Sequence, residues 1–184
     1  MCKFAAEGNK EQLKRLIVNG IEVNESNYDQ RTALHLAASE GHVDVVEYLL
    51  EKKADANFRD RTGGTPLSDA LRHKHERIQE ILRMSGGQLK GIDIATELCS
   101  AAAEGDVAKL KALIVNGANP ESADANNRTA LHLAASNGEV TVLDHLVRLL
   151  DPPMNLDALD SFGGTPLDDA YRHGKRVAIA ILED

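Results

Sequence analysis

The chain has 184 residues, with 29 acidic against 21 basic side chains (formal net charge −8), 42% hydrophobic but only 3% aromatic residues, and no Trp. This balance excludes a disordered chain, and acidity with so few aromatic rings argues against nucleic acid as the main partner. No apolar run approaches the ~18 residues of a membrane span, and the first seven residues, MCKFAAE, lack the apolar core of a signal peptide. Two cysteines are too few for a disulfide scaffold, so the expected compartment is intracellular and reducing, the cytoplasm by default.

Taken in order, the chain repeats itself. CKFAAEGNKEQLKRLIVNG at residues 2–20 returns as CSAAAEGDVAKLKALIVNG at 99–117. RTALHLAASEG at 31–41 returns as RTALHLAASNG at 128–138, with the same offset of 97. GGTPLSDALRH at 63–73 returns as GGTPLDDAYRH at 163–173, now offset by 100, so three extra residues lengthen a loop around 149–154. The chain is a tandem duplication. Within each copy, Thr32 and Thr65 stand 33 apart and each opens a T-(A/P)-L segment with a helical pattern. In the best-defined unit, Ala33, Leu34, Leu36, Ala37 and Ala38 predict a short small-residue helix broken at Gly41. Val43, Val45, Val46, Leu49 and Leu50 then supply the apolar face of a second helix. Neither face can be buried by its own unit alone, so neighbouring units have to stack.

Two short helices and a turn every ~33 residues is the ankyrin period, and RTALHLAASEGHVDVVEYLLEKKADAN at 31–57 resembles an ankyrin repeat along its whole length. The resemblance implies an all-α ankyrin-repeat solenoid of about six helix–turn–helix units with hairpin tips, bounded near 1–27, 28–60, 61–93, 94–124, 125–160 and 161–184. Residues 1–93 and 94–184 are then two three-repeat blocks, the last repeat truncated, stacked as one continuous solenoid. The chain is also similar to the ankyrin tails of glutaminases and asparaginase-type hydrolases and to the repeats of integrin-linked-type kinases. Ser68 and Asp168 depart from the family's TPLH motif, which has His there. The third unit runs on into RMSGGQL where the sixth stops at ILED, and both ends read as a module continuing into something longer.

No catalytic set can be assembled. The chain lacks HExxH, CxxC, GxxxxGK[ST] and GxGxxG, and each Gly-Gly-Thr-Pro segment reads as a turn. In the family, a His at the position of His35 and His132 bonds to backbone of the adjacent hairpin. His42 reads as a turn residue, and His73 and His75, two apart on different faces of a helix, are poorly spaced for zinc. Cys2 and Cys99 lie three repeats apart, about 30 Å at ~10 Å per repeat, too far for a disulfide; they read as small buried apolar groups. No cofactor and no metal are expected, and the chain reads as non-catalytic.

What remains is surface. In ankyrin proteins partner contacts come from the hairpin tips and the exposed ends of the first helices. The resemblance places tips at Tyr28, Asp29 and Arg31, at Arg61 and Thr62, at Ala125, Asn126 and Arg128, and at Ser161 and Phe162. First-helix ends fall at Ser39 and Glu40, at Asp69, Arg72 and His73, at Ser136 and Asn137, and at Asp169, Arg172 and His173. Tyr, Phe and Arg lead as hot-spot types. Arg31, Arg128, Asp69 and Asp169 double as candidate braces, because they recur at the same place. The expectation is a protein-interaction module binding a protein partner through its concave groove and tips; the alternative is a regulatory or assembly region of a larger enzyme. Residues 1–92 hold 14 basic and 14 acidic side chains, whereas 93–184 hold 7 and 15, so the whole net charge lies in the second copy. That copy replaces Lys10, Arg15, Lys52 and Lys53 with Val107, Ala112, Leu149 and Leu150, and it adds Asp157 and Asp168. An acidic end of this kind faces a basic partner surface or aids solubility.

Overall fold

The computed structural model describes residues 1–151 and 153–184; Pro152, within the lengthened LLDPPM loop, lies outside them. Among the described residues the backbone is helical, with isolated β-bridges only, and it separates into two compact units, Met1–Ile92 and Asp93–Asp184. No helix is long and apolar enough to cross a membrane.

The first unit contains α1 (Cys2–Ala6), α2 (Lys10–Val18), α3 (Ala33–Glu40), α4 (Val43–Glu51), α5 (Pro66–Arg72) and α6 (Glu76–Met84). Each pair is bent by a residue in the left-handed region: Gly8 at φ 68° between α1 and α2, Gly41 at φ 83° between α3 and α4. The third pair turns on Lys74 at φ 60°, a non-glycine residue in the same conformation. First helices pack α1 on α3 on α5, and second helices α2 on α4 on α6. The alanines make this possible: Ala5, Ala33, Ala37, Ala38 and Ala70 are fully buried and let backbones approach. Leu13, Leu34, Leu49, Leu67, Ile78 and Leu82 fill the space between the layers, all fully buried. Leu34 and its counterpart Leu131 in the second unit are 1% and 0% exposed.

Adjacent repeats are joined through the helix caps. Thr32 is the extended N-cap of α3, and His35 stands at the third helical position. The Thr32 N–H donates to His35 Nδ1 at 3.2 Å and the Thr32 hydroxyl lies 2.9 Å from the same nitrogen. With Nδ1 accepting, the ring proton sits on Nε2, which donates to the Gly64 carbonyl of the next hairpin at 3.2 Å. One neutral imidazole thus closes a helix end and ties it to the neighbouring repeat. In the next repeat Ser68 takes the position. The Thr65 hydroxyl donates to Gln88 O (2.6 Å) and the Ser68 hydroxyl to Lys90 O (2.6 Å), so an extended segment covers α5. Gly91 lies so flat on Gly63–Gly64 that a Cβ there would run into their backbone.

The histidines at the second helices work the other seam. His42, expected as a plain turn residue, caps α4 and lies over Gly8, its Nε2 donating to Ala6 O at 2.8 Å. His75 repeats this over Gly41, donating to Ser39 O at 3.0 Å. His73 and His75 therefore do not share a helix, contrary to the sequence expectation. The first is the C-cap of α5 and the second the N-cap of α6, and their rings stack at 6.3 Å.

The second unit rebuilds the plan with α7 (Ile94–Ala103), α8 (Val107–Val115), α9 (Ala130–Asn137), α10 (Val140–Asp144), α11 (Pro166–Arg172) and α12 (Arg176–Leu182). Leu98, Leu110, Leu113, Leu131, Leu143 and Leu146 are its fully buried core. Asp93 and Asp106 cap α7 and α8 through Thr96 N–H and Lys109 N–H. His132 reproduces the lock, with Thr129 N–H on Nδ1 (3.1 Å) and Gly164 O on Nε2 (3.2 Å). After α10 the helix widens into a π-turn at His145–Leu149, just ahead of the three-residue insertion. At the seam, Glu139 and Lys175 stand over Gly105 and Gly138 where the first unit has histidines. Asn137 supplies the missing bond, donating to Ala103 O at 2.8 Å.

Two predictions follow from this packing. Leu34→Ala and Leu131→Ala should each destabilise the chain by ~2–5 kcal/mol in denaturant melts, because each leaves a cavity in a closed core. Burial also holds the His35 imidazole below its ordinary pKa. The unfolded chain therefore binds the extra proton first, so the His35 contribution is complete above pH ~6.5 and declines as pH falls below it. Its slope cannot exceed ~1.4 kcal/mol per pH unit. Melting temperature measured at pH 7.5, 6.5 and 5.5 should fall with acid, and His35→Gln should flatten that fall.

Candidate protein interface

Four hairpin tips share one construction. Each begins with Asn or Asp: Asn27, Asp60, Asp124 and Asp160. In each, one side-chain oxygen accepts the N–H groups two and four residues ahead. For Asn27 these are Asp29 and Arg31 (both 3.0 Å); for Asp60, Thr62 and Gly64 (both 2.8 Å). For Asp124 they are Asn126 (2.8 Å) and Arg128 (3.0 Å); for Asp160, Phe162 (2.9 Å) and Gly164 (2.8 Å). The fourth residue is always left-handed: Gln30 at φ 58°, Gly63 at 83°, Asn127 at 56° and Gly163 at 78°. Burial alone would raise the Asp60 carboxyl, but the Thr62 hydroxyl and the Gly64 and Thr62 N–H groups hold it below the usual range. At Asp160 the Gly64-equivalent N–H of Gly164 is the leading cause of the same depression. Sequence reasoning placed the tips but missed these four organisers. The signal was an Asn or Asp five residues before each helix-opening Thr, at Thr32, Thr65, Thr129 and Thr165.

Neighbouring tips are also bonded to each other, Arg61 N–H to Asp29 O and Ser161 N–H to Asn126 O, both 2.9 Å. The residues at the second and third tip positions are therefore held on fixed backbone while their side chains point to solvent. Tyr28 and Phe162 are 81% and 85% exposed, and Arg61, Thr62, Ala125, Asn126 and Ser161 are exposed with them. Asp29 is only half-buried at this edge.

Behind the first unit's tips, the expected first-helix residues come together around one carboxylate. Asp69 is buried rather than presented at a helix end. It accepts Arg31 Nη2 at 2.7 Å and Arg72 Nη1 at 3.2 Å. Arg31 thus braces two repeats, one of the two roles its recurrence suggested, with its side chain largely withdrawn from solvent. Ser39 is likewise buried, 3.4 Å from His73 Nδ1, which also bonds Asp69 O at 3.0 Å. Arg72, His73 and Glu40 remain exposed.

The second unit keeps part of this. Arg172 Nη1 bonds the buried Asp169 at 2.7 Å, and Ser136 lies 3.3 Å from His173 Nδ1, which bonds Asp169 O at 2.9 Å. Arg128 does not join them. Its Nε and Nη2 turn to Asp124 Oδ2 at 3.2 and 3.0 Å. The cause is one atom: the tip residue is Asp124 where the first unit has the uncharged Asn27, so Arg128 finds an anion in its own loop. Asn137 is exposed but spends its amide on the seam.

Both cysteines are free thiols that donate to hairpin carbonyls, Cys2 to Arg31 O and Cys99 to Arg128 O at 3.3 Å, and so are more than apolar filler. Burial pushes the Cys99 thiol up to about 11, far from a nucleophile's range. Among the described residues no group of His, Cys, Asp or Glu is placed to hold a metal ion.

Comparison with known proteins agrees with the geometry. Ankyrin repeats (3 copies) match residues 2–95 and again 98–184. An L-asparaginase of Dirofilaria immitis is 35% identical over 99% of this chain and 30% of its own length. The potassium channel SKOR of Arabidopsis thaliana is 40% identical over 96% of this chain and 21% of its own length. The chain therefore spans less than a third of these relatives. The crystal structure of the human ASB11 ankyrin repeat domain superposes with a TM-score of 0.65 at 27% identity, covering 99% of this chain and 81% of that one. Ankyrin repeats are generally protein–protein interaction modules, typically without catalytic activity. With caps, tips and both copies of the sequence accounted for, the chain belongs to the ankyrin-repeat family.

Proposed function

We propose that this chain is a non-catalytic module that binds a protein partner across its hairpin tips and the exposed ends of its first helices. The observation that carries the reading is the rigid presentation of unsatisfied side chains. Tyr28 and Phe162 are held almost fully exposed on tips whose backbone is already hydrogen-bonded, so ordering them at an interface costs little entropy. Arg72 and Arg172, each fixed by a buried aspartate, add guanidinium groups of defined direction. A second reading treats the chain as a regulatory or assembly region attached to a larger protein. It is favoured by the relatives, in which the matching segment is 30% or less of the whole. A catalytic or channel domain in the same reading frame would support that version, and it uses the same surface.

Partner recovery from a lysate by the tagged chain should fall about tenfold or more with Tyr28→Ala plus Phe162→Ala, at unchanged melting temperature. Arg72→Ala plus Arg172→Ala should also cut recovery. Their stability costs should differ: Asp69 keeps Arg31 when Arg72 is lost, whereas Asp169 loses the one cation bonded to it among the described residues. Arg172→Ala should therefore lower the melting temperature more than Arg72→Ala. Recovery unaffected by all four changes would put the binding surface elsewhere.

A further inference from the structure

Two guanidinium groups share one carboxylate in the first unit. Arg31 reaches Asp69 Oδ2 at 2.7 Å from a hairpin tip, and Arg72 reaches Oδ1 at 3.2 Å from the end of α5. Asp69 is buried beneath them, so its one negative charge is spent and one positive charge is left over. Donors are left over as well. A guanidinium carries five N–H bonds in a planar fork, and each arginine gives one of them to the carboxylate. Arg31 Nε is buried with no acceptor, so the folded chain leaves part of this fork unsatisfied.

The second unit has no such surplus. Arg172 reaches the buried Asp169, while Arg128 gives Nε and Nη2 to Asp124 of its own tip, so two arginines face two carboxylates. The difference goes back to the first residue of the tip. Asn27 and Asp124 accept the same pair of backbone N–H groups, yet only the aspartate also offers an anion to the arginine four residues on. The charges bordering the first unit's cluster nearly cancel: Arg61 and Lys74 against Asp29, Asp60 and Glu40, with His73 held by its Nδ1 on Asp69 O. Among the described residues neither Asp29 nor Glu40 pairs with Arg31 or Arg72, and Asp60 is turned into its own loop. The surplus is therefore local, and it suits a single carboxylate rather than an acidic stretch.

We propose that Arg31 and Arg72 together grip one Asp or Glu side chain of the protein partner. Asn27, by offering Arg31 no anion in its own loop, gives this role to the first unit, and Asp124 denies it to the second. The inference rests on the reading of this surface as a protein interface and adds the chemistry of what is recognised. The partner segment brings one acidic residue with non-acidic neighbours, because Asp29 and Glu40 repel a run of carboxylates. Two planar forks converging on one carboxylate fix its direction as well as its charge, which sets the register of that segment.

The test pans a phage-displayed random 12-residue peptide library, fused through the peptide C-terminus so that only side chains supply carboxylates, against the 184-residue chain. Enriched peptides should share one Asp or Glu, and changing it to Asn or Gln should weaken binding about tenfold or more. Asn27→Asp in the chain should cost about the same. That variant keeps the tip, as a far-UV melt checks, because Asp60, Asp124 and Asp160 already organise theirs. Arg31→Gln should weaken binding equally, and Arg31→Gln plus Asn27→Asp no further, because both changes act on one guanidinium. Failure to enrich, peptides that bind without a carboxylate, full binding to Asn27→Asp, or additive losses in the double variant overturns the proposal. Peptides that need Tyr28 or Phe162 but not Arg31 also overturn it, and they leave the interface reading standing. Peptides that need Arg31 and the carboxylate but neither aromatic residue sustain it, and they move the interface off the aromatic tips.

Discussion

The bond on which the rest of this architecture depends is the one from an N-cap threonine, through the side chain three residues on, to the next hairpin. Short helices cannot hold themselves together in water, because their nucleation cost is spread over too few hydrogen bonds. Here each seven- or eight-residue first helix is closed at its N-terminus by Thr32, Thr65, Thr129 or Thr165. His35 and His132 serve two repeats at once because a neutral imidazole has an acceptor on one side and a donor on the other. Serine at position 68 does the same with a shorter reach, and the covering segment moves in to meet it. Aspartate at position 168 closes its helix in the same way, accepting the Thr165 N–H and hydroxyl.

The fold was largely legible in the sequence, because a duplicated pattern of small residues, leucines and turn glycines leaves few alternatives. The core positions Leu34 and Leu131 could be named from spacing alone. The surface was less legible. Asp69 and Asp169 read as exposed helix ends, yet they sit beneath their arginines, since a carboxylate can be buried when guanidinium groups accompany it. The pairing of His42 and His75 with glycines one repeat earlier was hidden, because it depends on the lateral offset between helices that packing sets. The divergent roles of Arg31 and Arg128 could have been read from Asn27 and Asp124, had the tip residue been recognised as the competing partner.

The two units also show how an even division of charge was lost. The second keeps a fully buried leucine core, and its extra acidity is not a diffuse coating. Asp124 redirects an arginine, Asp106 caps α8 where Asn9 caps α2, and Asp168 caps α11. Several exposed bases of the first unit have apolar counterparts in the second, among them Lys52 and Leu149, Arg59 and Leu159, and Arg77 and Val177, each of these apolar side chains more than half exposed. The charge difference thus coincides with a gain of exposed apolar surface, which solubility alone would not favour.

The five-residue tips carry a consequence for how such a protein changes over time. Their first residue supplies the internal acceptor and their fourth the left-handed bend, so those two letters are fixed by backbone geometry. The second and third letters are Tyr28 and Asp29, Arg61 and Thr62, Ala125 and Asn126, Ser161 and Phe162: aromatic, basic, amide, hydroxyl and alanine on one unchanged frame. A lineage can rewrite what these loops present without rebuilding the loops that present it, one dipeptide at a time, with two such dipeptides side by side in each unit.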